Sequence, residues 1–311
     1  GVPQLGRHAR MPSAENSFFV LEADESDGTL REFHPEHSIV LNIDEEHLDF
    51  YENFEAVCDE FIAFGKQTSG RLIYCADDPL LPEVYANNLN SISYGFNPAA
   101  DYQAEIIGSK EFIIRHHQQS IGQFRIGLFG EQNISNAVAV VAFLHANGFS
   151  PDSISEALGK FKGVNRRQQE LTCDHRYRIF DDYGHHPREI RATLAALNEQ
   201  CSGRLLVAFQ PHRYTRTKHL LGDFAQCFDG VDLLWITEVY AASEAPIDNI
   251  NGRRLAEAIS ESGQPAAFAA TLEILRDKIR NALRPGDTIL FLGAGDITQV
   301  AHQLAKDMHM K

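Results

Sequence analysis

Short apolar segments alternate with longer amphipathic ones throughout the second half of this chain, and this alternation restricts its fold more than any other feature. The apolar segments predict strands at 176–181, 204–209, 232–237 and 287–292. The amphipathic segments predict helices at 187–200, 217–228, 251–262, 271–283 and 296–307. Strands that alternate with helices form a parallel sheet with helices on both faces. We therefore predict a doubly wound, Rossmann-like α/β domain.

The first half of the chain begins with the same alternation and then departs from it. Apolar segments predict strands near 17–23, 38–43, 71–76 and 91–95, separated by helices at 54–66 and 82–89. Between Tyr102 and Phe129, segments of alternating polarity at 111–115 and 123–128 predict an antiparallel annex to a mostly parallel sheet. An apolar helix, Ile134–Ala146, ends at Asn147-Gly148, and the next helix begins at Ser150-Pro151. We place the domain boundary after residue 161, where the regular alternation resumes.

Composition limits the partners of these two domains. The 311 residues carry a formal net charge of -15, which argues against nucleic acid or an anionic membrane surface as a partner. The five cysteines are scattered and include no Cys-x-x-Cys pair, a pattern typical of a reducing cytoplasm. No apolar run approaches the roughly 20 residues that span a bilayer. The sequence thus predicts a cytoplasmic protein whose partners are small molecules.

Two polar motifs each follow a predicted strand of the second half. Asp181-Asp182-Tyr183-Gly184-His185-His186-Pro187 comes after the first strand, and His212-Arg213-Tyr214-Thr215-Arg216-Thr217 comes after the second. Ligand sites of α/β sheets lie at the carboxyl ends of strands, and collecting so many charged groups there by chance would carry a large desolvation cost. The two motifs predict a site for an anionic substrate that carries phosphate or carboxylate groups.

Two acidic motifs follow strands predicted in the first half. Glu22-Ala23-Asp24-Glu25-Ser26-Asp27-Gly28 is either a Mg²⁺ site, since hard oxygen ligands suit this ion, or a solvated acidic turn. In Asn42-Ile43-Asp44-Glu45-Glu46-His47-Leu48-Asp49, the histidine either ligates or orients a second metal, or it packs at a helix N-terminus. Two acidic strand ends in one sheet favour the metal interpretation of both.

Three further motifs each have two interpretations. Asn133 and Asn136 lie on one face of the first turn of a helix, where they contact a ligand or cap the helix. Arg166-Arg167 is a solvated linker or a clamp for a phosphate. Gly293-Ala294-Gly295 resembles the loop of a dinucleotide-binding oxidoreductase, but it opens the final helix instead of an early strand–helix–strand unit, which favours a tight turn.

The motifs around Glu25, His47, Asn133, Arg167, Asp182 and His212 occur in the order seen in the Mur ligases, and the chain resembles this family over nearly its whole length. The resemblance is strongest to the branch that joins UDP-N-acetylmuramate to L-alanine, while the branch that attaches a recycled tripeptide shares part of the set. It implies a partial central ATP-binding domain over residues 1–161 and a C-terminal Rossmann-like ligase domain over 162–311. It also implies an ATP-dependent amide ligation through an acyl phosphate, in peptidoglycan precursor synthesis.

The resemblance assigns a role to each motif. Glu25 holds the Mg²⁺ that bridges the ATP phosphates, and His47 holds a second Mg²⁺. The residues that reach the nucleotide are Asn133, Asn136, Arg167, Asp182 and Tyr183. The residues that line the acyl and amino-acid side of the cleft, where Arg167 and Asp182 also serve catalysis, are His185, His212, Arg213 and Arg216.

The chain departs from the family in three respects. The family has a phosphate-binding loop before the Glu25 motif, but the 311 residues contain no Gly-x-x-x-x-Gly-Lys-[Ser/Thr]. The domain that binds uridine diphosphate is absent too, and Gln132 stands where the family commonly has histidine. We therefore expect a fragment of a ligase that is inactive by itself, because the missing loop supplies phosphate ligands. The alternative is a non-catalytic binding or regulatory module that keeps a ligase-like cleft.

Overall fold

The computed structural model describes residues 18–45, 50–173 and 176–309. The chain divides into two compact units, and it passes from one to the other between Lys162 and Gly163. Within the described ranges, no helix is both long enough and apolar enough to cross a membrane.

The first unit is built on a six-stranded sheet in the order β1-β2-β3-β4-β5-β6. The strands are β1 (Ser38–Val40), β2 (Leu72–Cys75), β3 (Ser91–Gly95), β4 (Tyr102–Gly108), β5 (Glu111–His116) and β6 (Gln119–Arg125). The helices are α1 (Phe54–Gln67), α2 (Leu81–Tyr85), α3 (Glu131–Ala146) and α4 (Pro151–Lys160), and a 3₁₀ turn covers Thr29–Glu32. Strands β1 to β4 pair in parallel, whereas β4 with β5 and β5 with β6 pair antiparallel, which confirms the predicted annex.

The strand predicted near 17–23 is wrong for the described part of that segment. Residues 18–23 form no strand, and the side chains of Phe19 and Val20 are 67% and 86% exposed. An apolar run becomes a strand only where a neighbouring strand accepts its hydrogen bonds. In the part of the chain that the structure describes, the sheet ends at β1, and no strand lies beyond it.

The ends of α3 and α4 follow the sequence closely. Asn147 is the C-cap of α3, and Gly148 adopts a φ of 85°, a left-handed conformation that glycine reaches without strain. Ser150 is the N-cap of α4, and its hydroxyl accepts a hydrogen bond from the Ser153 amide, with Pro151 at the first helical position. Both predicted caps are confirmed.

The second unit is also built on a six-stranded sheet, in the order β11-β10-β9-β12-β8-β7. Its strands are β7 (Gln169–Cys173), β8 (Tyr177–Asp182), β9 (Leu205–Phe209), β10 (Leu233–Thr237), β11 (Ala266–Ala269) and β12 (Asp287–Leu292). Its helices are α5 (Pro187–Asn198), α6 (Tyr214–His219), α7 (Leu221–Phe224), α8 (Gly252–Glu261), α9 (Leu272–Ala282) and α10 (Thr298–His309). All pairs are parallel except β7 with β8.

Both faces of this second sheet are covered by helices. Consecutive residues of a strand point to opposite faces, so Phe180 and Val207 pack with α5, α7 and α8, whereas Ile179 and Leu206 pack with α9 and α10. The prediction of a doubly wound α/β domain is confirmed.

Two strands and one helix of this unit differ from the prediction. Strands β7 and β11 were not predicted, because β7 runs antiparallel at the sheet edge and β11 has the sequence Ala-Ala-Phe-Ala, which lacks β-branched residues. The helix predicted at 217–228 is instead the two short helices α6 and α7, with a break at Leu220. Leu220 and Leu221 both pack against the core, whereas one continuous helix would point neighbours about 100° apart.

Candidate active site

The topology of the second unit predicts a crevice at the carboxyl end of β12. The helix after β12 covers one face of the sheet, while the helices after its neighbours β8 and β9 cover the other face. Ligands of open α/β sheets bind where connections diverge in this way. The Asp182 motif follows β8 and the His212 motif follows β9, so the structure places both predicted motifs beside this crevice.

Asp182 is the last residue of β8 and is almost fully buried, at 3% exposure. Its Oδ2 accepts a hydrogen bond from the Gln168 amide at 2.7 Å, and its Oδ1 accepts one from the Gly184 amide at 2.7 Å. Burial raises the pKa of this carboxyl group from 3.8 to about 6, although the two amide donors act in the opposite direction. The carboxylate therefore ties the loop before β7 to the loop after β8.

Arg167 lies beside Asp182 in the loop before β7. Its Nη1 donates to Glu189 Oε1 at 3.1 Å, and its guanidinium lies 5.7 Å from the centroid of the Tyr183 ring. The side chain keeps 50% exposure. Arg166 instead donates to the backbone of the turn after β12, so the interpretation as a solvated linker is wrong for Arg166.

Glu189 was not predicted as a site residue, although it lies in the first turn of α5. It completes a capping box with His186, and its Oε2 also accepts a hydrogen bond from the His185 amide at 2.9 Å. Its Oε1 accepts the hydrogen bond from Arg167 Nη1. The spacing His-Pro-x-Glu was the available signal, because glutamate at the third helical position is the expected partner of an N-cap residue.

Four aromatic rings form a continuous row along the crevice. Tyr183 and His185 lie 5.4 Å apart between ring centroids, His185 and His212 lie 5.6 Å apart, and His212 stacks on Tyr240 at 5.5 Å with an angle of 10°. Tyr240 was not predicted as a site residue. An isolated parallel β-bridge pairs it with His212, which lies 28 positions earlier in the chain.

His212 is held as a neutral ring. Burial lowers its pKa first, and the charges of His185, Arg216 and Arg213 lower it further, to about 4. Its Nδ1 is buried and makes no hydrogen bond within the protein. At neutral pH the ring therefore carries one N–H donor and one nitrogen acceptor.

Arg213 and Arg216 sit one turn apart at the start of α6. Arg213 is the N-cap residue with a left-handed φ of 69°, and its amide donates to the Tyr240 carbonyl at 2.9 Å. The first turn of α6 is fixed by Glu244, which accepts hydrogen bonds from the Thr215 amide and hydroxyl. Two arginines on one anchored turn are suited to binding carboxylate or phosphate oxygens.

The Gly293–Asp296 segment forms the predicted tight turn between β12 and α10. A Cβ on Gly293 would lie 2.7 Å from the Gln210 carbonyl oxygen, and one on Gly295 would lie 2.3 Å from Gln210 Oε1. Gln210 also donates to Asp296 Oδ1 at 2.7 Å and accepts from the Ile297 amide at 3.0 Å. Glycine is required here by close packing.

The remaining predicted residues come from the first half of the chain. His47 lies outside the described residues, and the others belong to the first unit. Glu25 is half-buried, and its carbonyl oxygen accepts a hydrogen bond from the Tyr51 hydroxyl at 2.5 Å. The neighbouring carboxylates of Asp24 and Asp27 accept hydrogen bonds within the same loop. Among residues 18–45, 50–173 and 176–309, no three His, Cys, Asp or Glu side chains are arranged to hold a metal ion.

Asn133 and Asn136 lie in the first turns of α3, and both are half-buried. The N-cap residue of α3 is Gly130, and Asn133 donates to the Phe129 carbonyl at 2.7 Å. The interpretation of these asparagines as caps is therefore wrong. Gln132 donates to Asn136 Oδ1 at 3.5 Å, which places the residue that departs from the family pattern against one of them.

Comparison with known proteins matches both units to domains of one protein family. The model of the Mur ligase middle domain matches residues 4–144, and that of the Mur ligase glutamate ligase domain matches residues 166–295. The chain belongs to the Mur ligase family. The match to the second model includes Asp182, His212 and the turn at Gly293, so the crevice lies within the ligase domain of the family.

Individual family members agree with this assignment. The UDP-N-acetylmuramate–L-alanine ligase of Brucella anthropi is 38% identical over 99% of this chain and 68% of its own length. The ligase of the same name from Anaeromyxobacter is 39% identical over 97% of this chain and 67% of its own length. Among solved structures, the UDP-N-acetylmuramate-alanine ligase of Thermotoga maritima has a TM-score of 0.77 at 26% identity, covering 92% of this chain and 63% of that one. The chain thus spans about two thirds of the length of these relatives.

Proposed function

We propose that this protein is a UDP-N-acetylmuramate:L-alanine ligase that uses ATP and Mg²⁺ to make a peptidoglycan precursor in the cytoplasm. The observation that carries the proposal is the convergence of the Asp182 and His212 motifs on one crevice, in a chain 38% identical to such a ligase over 99% of its length. A related ligase, MurF of Thermotoga maritima, was solved in complex with ADP and shares this fold at a TM-score of 0.70.

The proposed reaction has two steps. The lactyl carboxylate of UDP-N-acetylmuramate attacks the γ-phosphorus of ATP, so that an acyl phosphate forms and ADP leaves. The amine nitrogen of L-alanine then attacks the acyl carbon, the bond from that carbon to the phosphate oxygen breaks, and phosphate leaves as the nitrogen loses a proton. Such transfers depend mainly on positioning and on neutralising charge on the phosphoryl group.

The residues of the crevice supply both requirements. Arg213 and Arg216 hold carboxylate and phosphoryl oxygens from one anchored turn. His212 stays neutral because its pKa is about 4, so with His185 it orients the reacting groups by hydrogen bonds. Arg167 presents a half-exposed guanidinium to the nucleotide phosphates, and Asp182 fixes the loop that carries it.

The first unit supplies the remaining nucleotide and metal contacts in this proposal. Asn133 and Asn136 hydrogen-bond to the nucleotide from the first turns of α3, where both are half-buried. Glu25 and His47 would hold two Mg²⁺ ions, and the carboxylate of Glu25 is the hard oxygen ligand that this ion prefers. When bound, Mg²⁺ neutralises charge on the ATP phosphates.

The decisive experiment uses the protein expressed from its whole reading frame. With UDP-N-acetylmuramate labelled by ¹⁸O in the lactyl carboxylate, we expect UDP-N-acetylmuramoyl-L-alanine by mass spectrometry and one ¹⁸O atom in the released phosphate. Phosphate without label would exclude the acyl phosphate. No product at all, with no ATP consumed, would instead favour a non-catalytic module with a ligase-like cleft.

Two comparisons make this experiment specific. Arg216→Ala should abolish most turnover, whereas Arg254→Ala should not, because Arg254 pairs with Glu261 on the exposed side of α8. Equal turnover in both variants would show that the crevice is not the active site. Replacing L-alanine by the tripeptide L-alanyl-γ-D-glutamyl-meso-diaminopimelate tests the recycling ligase as the alternative, which predicts a higher kcat/KM for the tripeptide.

A further inference from the structure

Arg166 has an unusual backbone conformation beside the proposed active site. Its φ is 59°, a left-handed value that a long side chain rarely adopts. Two hydrogen bonds hold it there, because its amide donates to Gln169 Oε1 at 2.9 Å and its carbonyl accepts from the Tyr183 amide at 2.6 Å. Strained residues persist only where surrounding contacts enforce them.

The side chain of Arg166 joins segments that are distant in sequence. Its Nη2 donates to the carbonyl oxygens of Gly293 and Gly295, which lie 127 and 129 positions further along the chain. The guanidinium carbon lies 4.8 Å from the centroid of the Tyr183 ring. One side chain thus fixes the turn after β12 and supports the first ring of the aromatic row.

A buried acid also lies near this guanidinium. Asp181 is fully buried, its Oδ2 lies 3.9 Å from Arg166 Nε, and the Thr298 hydroxyl donates to the same oxygen at 2.6 Å. His302 approaches the same oxygen at 3.7 Å. The start of α10 is therefore connected to Arg166 through Asp181 as well as through the turn.

The same turn is also held by Gln210, which follows β9. Arg166 and Gln210 together fix the segment that closes the crevice between β8, β12 and β9. A planar guanidinium with several donors can reach two carbonyl oxygens and stack on a ring at once, which a lysine ammonium cannot do.

We propose that Arg166 is a positioning residue, which holds the Gly293–Gly295 turn and the Tyr183 ring so that Arg167 and Asp182 face the crevice. The link to catalysis rests on the proposed ligase function, whereas the link to the turn does not. Arg166 itself contacts no reacting atom in this proposal and acts through its neighbours.

A hydrogen-exchange experiment on this chain tests the link to the turn. Arg166→Met keeps an unbranched apolar stem but removes the guanidinium and its donors, and we expect roughly tenfold to hundredfold faster exchange at the amides of Tyr183, Gly293 and Ile297. Arg178→Met is the matched control, because Arg178 has the same side-chain exposure of 24% and pairs with Glu170 away from the turn. Unchanged exchange in Arg166→Met, or the same pattern in both variants, would overturn the proposal.

Kinetics of the protein expressed from its whole reading frame test the link to catalysis. We expect kcat to fall about a hundredfold in Arg166→Met, with free energies of unfolding alike in the two methionine variants and kcat unchanged in Arg178→Met. Arg166→Lys should recover less than about a tenth of the lost turnover, since it restores the charge but not the fork of donors. Normal kcat in Arg166→Met, or full recovery in Arg166→Lys, would overturn the proposal. Absence of turnover in the unaltered protein would refute the ligase function instead, and hydrogen exchange would still decide whether Arg166 holds the turn.

Discussion

Ionisation of Asp182 should lower the stability of the second unit, and the size of this effect can be estimated from its burial. The pKa of this carboxyl group is raised from 3.8 to about 6, so the unfolded chain gives up the proton at a lower pH than the folded chain. Below about pH 3 both states are protonated and the group has no effect. Above about pH 7 both are ionised, and the difference of about two pKa units corresponds to roughly 3 kcal/mol of lost stability.

The expected signal is a pH-dependent difference between the unaltered chain and Asp182→Asn. We measure urea unfolding without nucleotide at pH values from about 5 to about 7.5. As the pH rises over this range, the free energy of unfolding of the variant should increase by roughly 1.4 kcal/mol relative to that of the unaltered chain. Asparagine also places an NH₂ group against one of two backbone donors, but this penalty is the same at every pH. Only the change with pH therefore reports the titration of Asp182.

Glu156→Gln provides a control with the opposite sign. The hydrogen bond from Lys160 lowers the pKa of Glu156, so that pair stabilises the fold at higher pH and loses its effect as the pH falls. Because the pKa of Glu156 lies below its ordinary value of 4.5, the stability of the unaltered chain relative to this variant should rise only up to about pH 5 and stay nearly constant from about pH 5 to about 7.5. A difference for Asp182→Asn that stays constant, or that changes in the direction of the control, would show that the Asp182 carboxyl is not desolvated.

Three further predictions test the site and its framework. His212, with a pKa of about 4, should stay neutral, and a titration of its ring nitrogens in long-range ¹⁵N spectra between about pH 5.5 and 8 would contradict this. Gly252→Ala should cost about 3 kcal/mol or more, because its Cβ would lie 1.9 Å from a carbonyl oxygen, whereas Gly159→Ala on α4 meets open space. Gly159→Ala should raise the free energy of unfolding by about 0.5 kcal/mol, and equal urea midpoints for these two variants would contradict the packing argument. Asp287→Ala should cost about 2–4 kcal/mol, because its buried carboxylate accepts two hydrogen bonds from Arg204, and a double-mutant cycle with Arg204→Ala that shows no coupling would refute this.

The sequence predicted most elements of the fold because their signals are local. The apolar runs of β8, β9, β10 and β12 and the caps of α4 depend on residues within one or two turns of each other. The same local order places Asp182 and His212 directly after strands, which was sufficient to predict a site. The resemblance to the Mur ligases added roles to these residues, and those roles remain predictions.

The partners of the site residues were not predictable, because they come from distant parts of the chain. Tyr240 stacks on His212, Glu244 fixes Thr215, and Arg166 reaches the turn at Gly293 across more than a hundred residues. No local pattern reports such contacts. The failed strand at 18–23 shows the same limit, since an apolar run forms a strand only where the fold provides a neighbour.

By itself, therefore, the sequence determined the alternating α/β elements, their caps and the polar strand ends that identify the family. The tertiary structure alone decided that β12, the last strand in the chain, lies between β8 and β9, so that residues near 182, 210 and 293 meet at one crevice. It also decided the burial that moves the pKa of Asp182 upward and that of His212 downward. Strand order and burial depend on how all the apolar faces are covered at once, whereas periodicity and capping depend only on neighbouring residues.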